Sequence, residues 1–151
     1  MGRWGERVAA RHLRQHGCII LGRNVELKDG ELDLVAETRG GLLLVVEVKA
    51  GGLYRGVGPE RRIDHAKREQ LLRLARELLR VKRWKGRPFR VDAISVTGRP
   101  PQPRVLEPLL QKPLLLPDRW PPAWQKVRPR VRWFRGIACS TAPDPAETSG
   151  P

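Results

Sequence analysis

Two consecutive hydrophobic runs, each with charge inside it, constrain this chain more than any other feature. The first is Gly30-Glu31-Leu32-Asp33-Leu34-Val35 and the second is Leu42-Leu43-Leu44-Val45-Val46-Glu47-Val48-Lys49. Both are short and apolar, with glycines at their borders, as adjacent β-strands are. A carboxylate is costly to bury unpaired, so acids in core strands are normally paired or bind a cation. Residues two apart in a strand point to the same face, which groups Glu47 with Lys49 and Glu31 with Asp33. A two-residue turn at Arg39-Gly40 would leave Asp33 and Glu47 on opposite faces. A three-residue loop, Arg39-Gly40-Gly41, pairs them, and Gly41 suits the left-handed position that such a loop requires. The expectation is one sheet face that presents Asp33, Glu47 and Lys49 together.

At 151 residues the chain is expected to form one domain plus additional segments. Its 30 Lys+Arg against 16 Asp+Glu give a net charge of +14, a field that favours polyanions, nucleic acid first among them. Cys18 and Cys139 stand far apart and form neither a disulfide framework nor a zinc spacing, which fits a reducing, cytoplasmic setting. The charged N-terminus has no apolar core of a signal peptide. No apolar run approaches the roughly 20 residues that span a bilayer, so no membrane partner is expected.

Residues 3 to 16 carry Trp4, Val8, Ala9 and Leu13 at helical spacing, with Gly17 as the stop. Glu6 lies at the edge of that stripe; as a first-turn acid it would complement the helix dipole, and as a site residue it would join the acids. Cys18 to Leu21 reads as a short first strand, and Gly22 to Gly30 as a polar, turn-rich connection. The second charged run is apolar without alternation up to Val46, which predicts a strand covered on both faces. Ala50 to Pro59 is a glycine-rich loop with Tyr54 and Arg55 between the glycines. Glu60 to about Lys82 reads as one long helix whose buried stripe is Ile63, Ala66, Leu71, Leu74, Leu78 and Val81. Lys67 and Gln70 interrupt that stripe; such groups either snorkel outward or line a site, and snorkelling is favoured for Lys67. Arg61, Arg62, Arg68, Arg73, Arg76 and Arg80 form the outer, basic face. Phe89 to Thr97 is a further strand, with Asp92 expected to bridge to the arginine-rich helix.

Beyond Gly98 the composition changes. Residues 99 to 151 hold 12 of the 14 prolines and Trp120, Trp124 and Trp133. Arg104 to Leu110 could add an edge strand; after it, proline every few residues opposes regular structure. The expected division is an α/β domain over 1–110, which the resemblance given below makes nuclease-like, and a basic proline-rich tail over 111–151, partly disordered, with 140–151 the disordered part. The Arg/Trp pattern suits either stacking on bases or docking on the chain's own domain, the latter being favoured for the tryptophans.

Two carboxylates with hard oxygen donors suit Mg²⁺ or Mn²⁺ rather than zinc. Asp33 and Glu47 would hold the metal with the Val48 carbonyl as a third ligand, and Lys49 would support the nucleophile or balance developing charge. The competing reading is a cross-strand ion-pair cluster on an exposed sheet face.

The motifs Gly2-Arg3-Trp4-Gly5-Glu6 with Ala9-Ala10, Gly30-Glu31-Leu32-Asp33-Leu34-Val35, Val46-Glu47-Val48-Lys49 and Phe89-Arg90-Val91-Asp92 occur in one order over residues 1 to 98. In this the chain resembles the PD-(D/E)xK nuclease superfamily, and within it the YraN-type uncharacterised proteins, grouped with endonucleases by similarity. It is also similar to archaeal Holliday-junction resolvases. The resemblance implies a restriction-endonuclease-like mixed central sheet flanked by helices, a homodimer, and Glu6 as a fourth active-site acid beside Asp33, Glu47 and Lys49, with Glu31 in support. The proline that precedes the first acid in the superfamily is replaced by Leu32, and residues 111 to 151 have no counterpart.

The expected function is metal-dependent hydrolysis of DNA, in preference to RNA, with branched or structured DNA among the substrates. Arg3, Tyr54, Arg55, Lys67 and Gln70 are the candidate nucleic-acid contacts. The alternative is a non-catalytic nucleic-acid-binding module on a nuclease-like fold; a weaker one is a ribosome- or RNA-associated protein that uses the Arg/Trp tail.

Overall fold

The computed structural model describes residues 2–52, 58–100 and 129–139. Helix α1 (Gly2–Gln15) leads into strands β1 (Ile19–Leu27), β2 (Gly30–Glu37) and β3 (Leu43–Gly51). A short 3-10 turn (Pro59–Arg62) precedes helix α2 (His65–Val81), and β4 (Phe89–Thr97) and β5 (Arg130–Cys139) follow. The five strands lie in the order β1-β2-β3-β4-β5. Among the described strands only β3 and β4 run parallel, with α2 between them in sequence; the other neighbours are antiparallel. This is the α/β, restriction-endonuclease-like class expected: a mixed central sheet flanked by helices.

The core is two layers, one on each sheet face. On one, Trp4, Val8, Ala9 and Leu13 of α1 meet Leu34, Ala36, Leu44, Val46, Ile94 and Val96. On the other, Leu71, Leu74, Ala75 and Leu78 of α2 meet Val35, Leu43, Val45 and Val91. Strand β3 is central and doubly covered: Leu43, Leu44, Val45 and Val46 are all 0% exposed, which explains its lack of alternation. Gly41 adopts φ 85, and Thr38 N donates to Leu42 O at 2.9 Å, so the Arg39-Gly40-Gly41 loop closes as its glycine requires.

Several expectations are corrected. The long helix from Glu60 is broken, because Asp64 accepts a hydrogen bond from Lys67 N and caps a separate α2. Its buried face is Leu71, Leu72, Leu74, Ala75, Leu78 and Leu79, whereas Ala66 and Val81 are exposed. Strand β1 is longer than Cys18 to Leu21 and absorbs much of the segment read as a turn. A register shift between Ile20 and Gly22 lets a polar stretch continue as an edge strand. Asp92 does not bridge to α2. It is 0% exposed, paired with Arg90 of its own strand at 2.7 and 2.9 Å, and accepts from Trp133 Nε1 at 2.9 Å and Gly136 N at 2.8 Å.

The last two partners lie on β5, so residues from the proline-rich segment complete the sheet. Trp133 is docked on the domain, and Arg132 Nη1 donates to Glu60 Oε1 at 2.7 Å. The 104–110 strand, Trp120, Trp124 and residues 140–151 lie outside the described residues.

Close packing fixes where α1 presents its first turn. A Cβ on Gly5 would collide with the Cβ of Ala50 on β3, so the helix touches the sheet there through bare backbone. Gly5→Ala is expected to lower stability by about 1–3 kcal/mol in urea denaturation. An unchanged midpoint would mean that α1 is not held at that distance.

Candidate functional site

The site is a fork in the sheet. β2 stays paired with β1 along its length to Gly30, and β3 stays paired with β4 to Gly51. Between β2 and β3, however, the ladder runs only from Glu37↔Leu43 to Leu34↔Val46. The next residues in that register are Asp33 and Glu47, as the three-residue loop predicts. Here the strands part. Val48 N, which a continued ladder would pair with Leu32, donates instead to Asp33 Oδ2 at 2.7 Å. Leu32 packs on the α2 layer and Leu34 on the α1 layer, so β2 twists at Asp33 and aims its carboxylate into the gap.

In a strand, the N–H and C=O of one residue point to the same side. The Val48 carbonyl therefore opens into the fork beside its N–H. Glu47 is 3% exposed. Its Oε1 accepts from Lys49 Nζ at 2.6 Å, and Lys67 Nζ of α2 lies 3.3 Å from its Oε2. The Lys67 contact has no hydrogen-bond alignment, so Oε2 is a buried acceptor with no donor aimed at it. Lys67 does not snorkel away from the stripe; it turns toward Glu47.

On the α1 side, Glu6 is buried. Asn24 Nδ2 donates at 3.0 Å both to Glu6 Oε2 and to Glu31 Oε1, so the second acid of the motif reaches the site through Asn24. Asn24 sits at φ 45, a conformation asparagine tolerates better than most residues. Arg23 Nη2 lies 3.6 Å from Glu6 Oε2.

These charges act on Asp33. Burial first, then the charges of Glu47 and Glu6, push its carboxyl up to about 6 against the opposing pull of the Val48 N–H and Lys49. Two acids and a half-buried third crowd a gap lined by main chain, which is an environment that a bound cation relieves. A divalent ion fits the donors present: Asp33, the unaligned Glu47 Oε2 and the Val48 carbonyl, all hard oxygens. Among the described residues no three His, Cys, Asp or Glu side chains converge on one cation-sized point. Glu6 acts on Asp33 through its charge.

The remaining sequence candidates divide. Arg3 is exposed in the first turn of α1, and Gln70 is half-buried against Gly30. Tyr54 and Arg55 lie outside the described residues. Sequence reading missed Asn24, Arg23 and a basic stripe. Arg7, Arg11 and Arg14 recur at helical spacing on α1. Burial lowers the Arg7 and Arg23 guanidinium pKa values, and each lies near a second arginine, Arg23 beside Arg7 and Arg14 beside Arg23. The spacing was legible on the helix; the approach of Arg23 from β1 was not, because that stretch read as a turn.

Because Asp33 binds its proton more tightly folded than unfolded, stability contributed by the protonated form falls as pH rises from about 4 to about 6. Above that window the charged form is a standing penalty. In EDTA, Asp33→Asn is expected to be more stable than the parent by about 2–3 kcal/mol at about pH 8, and nearly equal at about pH 4. Urea denaturation at both values checks this; a pH-independent difference would contradict it.

The family model described as "Uncharacterised protein family UPF0102" matches residues 5–96. A UPF0102 protein of Syntrophotalea carbinolica is 41% identical over 100 residues, 66% of this chain and 80% of that protein. One from Persephonella marina is 37% identical over 97 residues, covering 64% of this chain and 83% of its own length. One from Pelotomaculum thermopropionicum is 42% identical over 97 residues, 64% and 79% respectively. The matched segment runs from Gly5, beside Glu6, through the fork to β4, and on that match the chain belongs to the UPF0102 family, which is YraN-like.

Proposed function

We propose that this protein is a metal-dependent nuclease that hydrolyses phosphodiester bonds in DNA, with branched or structured DNA among its substrates. The observation that supports this best is the fork: two carboxylates and a main-chain carbonyl converge where the sheet opens, with Lys49 bonded to one of them. An ion-pair cluster on an exposed sheet face would not place Glu47 at 3% exposure with one carboxylate oxygen met by an ammonium but by no aligned hydrogen bond. It would also not divert a backbone N–H from its ladder to Asp33.

Asp33, Glu47 and the Val48 carbonyl would hold Mg²⁺ or Mn²⁺, which supplies Lewis acidity toward a phosphodiester and lowers the pKa of water near it. The chain's own groups do the rest. Lys49 is kept beside the reacting position by its 2.6 Å bond to Glu47, where its ammonium can orient an attacking water and offset charge on the phosphate. Val48 N fixes the Asp33 carboxylate in one orientation. Glu6, tied to Asn24 and Arg23, holds negative charge at the α1 side of the fork.

The partner is nucleic acid on grounds of charge. Arg23 lies beside Glu6 and near Arg7 and Arg14 of α1, and guanidiniums gathered in this way suit phosphate oxygens. This gives the substrate strand a basic path that ends at the fork. Homodimerisation, implied by the likeness to junction resolvases, would present two such paths to a branched substrate.

The test is cleavage of labelled single strand, duplex, flap, four-way junction and RNA in Mg²⁺, Mn²⁺ or EDTA. Asp33→Ala and Lys49→Ala are expected to lower cleavage by at least about 100-fold while binding persists. Arg7→Ala with Arg14→Ala should weaken binding and flatten its salt dependence by about one to two phosphate contacts. Cleavage that survives Asp33→Ala would remove the mechanism. Binding without cleavage, indifferent to metal, would favour the non-catalytic module.

A further inference from the structure

Glu47 is held by two lysines, and they are not equivalent. Lys49 Nζ donates to Oε1 at 2.6 Å from two positions along the same strand. Lys67 comes from the first turn of α2, and its Nζ lies 3.3 Å from Oε2. That oxygen is buried and receives no aligned hydrogen bond, so Lys67 neutralises it by charge alone. The base of Lys67 is fixed, since its backbone N–H donates to the Asp64 cap at 2.8 Å. Its head is a compact point charge on a flexible four-carbon stem.

We propose that Lys67 is a placeholder cation: its ammonium occupies Glu47 Oε2 until a divalent ion takes that oxygen, and the displaced ammonium then contacts a phosphate oxygen of the nucleic-acid strand. The inference rests on the nuclease reading for both its metal and its substrate. An ammonium and a divalent cation repel strongly when they share one carboxylate oxygen in a largely buried gap. Lys49, with the aligned bond, stays; Lys67, without one, leaves. Its anchored backbone keeps it within reach of the fork, and an ammonium needs no planar match to bind phosphate. Two consequences follow for the site. Glu47 keeps a counter-charge when no metal is bound, as a buried carboxylate requires. Metal and substrate also become coupled, because the ion frees a lysine for the phosphate.

The test uses the full chain. Mn²⁺ binding is titrated without nucleic acid, by the electron paramagnetic resonance signal of the free ion. The parent is compared with Lys67→Met, Lys67→Gln, Glu47→Gln and, as a control for the general field, Arg68→Met on the exposed side of α2. Duplex binding is then measured in Ca²⁺ and in EDTA. Both Lys67 variants are expected to bind Mn²⁺ at least about tenfold more tightly, with Arg68→Met changed less than about twofold. Glu47→Gln should lose Mn²⁺ binding. The Lys67 variants should bind duplex more weakly than the parent in Ca²⁺ and equally well in EDTA. If the parent binds Mn²⁺ but the Lys67 variants bind it no more tightly, the placeholder is overturned and the nuclease reading stands. If the parent binds no Mn²⁺, the nuclease reading itself fails.

Discussion

The parting of β2 from β3 at Asp33 is the constraint on which the rest of this structure depends. A sheet that continued would bury Asp33 and Glu47 in its pleat and satisfy every main-chain group internally. Here the ladder stops at Leu34 and Val46, and the Asp33 carboxylate takes the place of a backbone partner for Val48 N. A side chain that substitutes for a strand's carbonyl holds the gap open and leaves the Val48 carbonyl turned into it. The result is a concentration of oxygen atoms with too few donors, which is costly in a protein interior unless charge balances it. Lys49 and Lys67 supply part of that balance.

The two helices serve the fork differently. α1 is pressed onto β3 through Gly5, and this brings Glu6 to one side of the gap while the same helix covers the sheet with Trp4, Val8 and Leu13. α2 covers the opposite face with leucines and contributes Lys67 from its capped first turn. β5 completes the far side. Asp92 of β4 is as buried as any core leucine, and among the described residues its carboxylate accepts from Arg90 and from Trp133 and Gly136 of β5. It is a fastener between strands, and truncating its partners would leave a charge uncompensated in the core. Acids in this sheet thus fall into two kinds: Asp92 is fully satisfied, and Glu47 is not.

The sequence made much of this legible, for physical reasons that can be named. Alternation, glycine placement and register parity located β2, β3 and their loop, because a buried face leaves little freedom of register. Parity gave the register up to Leu34 opposite Val46, one step short of Asp33 and Glu47. It could not foresee that the strands separate there, since the divergence is a tertiary event with no local periodicity. Lys67 was read as a solvated side chain because helical spacing shows a face without showing what stands opposite it. Asn24 and Arg23 escaped because β1 is a polar edge strand, where packing does not impose an apolar pattern. Asp92 was assigned to the wrong partner for a related reason. Its strand neighbour arrives from the proline-rich segment, across a sequence separation that no short-range signal spans.

In the proposed function the fork is a cation site formed by Asp33, Glu47 and the Val48 carbonyl. Crystals grown with Mn²⁺ and measured for anomalous scattering near the manganese edge test it most directly. One strong peak in the gap between β2 and β3, in contact with all three groups, is the expected result. A fully occupied Mn²⁺ elsewhere on the protein, with the fork still closed by Lys49 and Lys67 on Glu47, would contradict it.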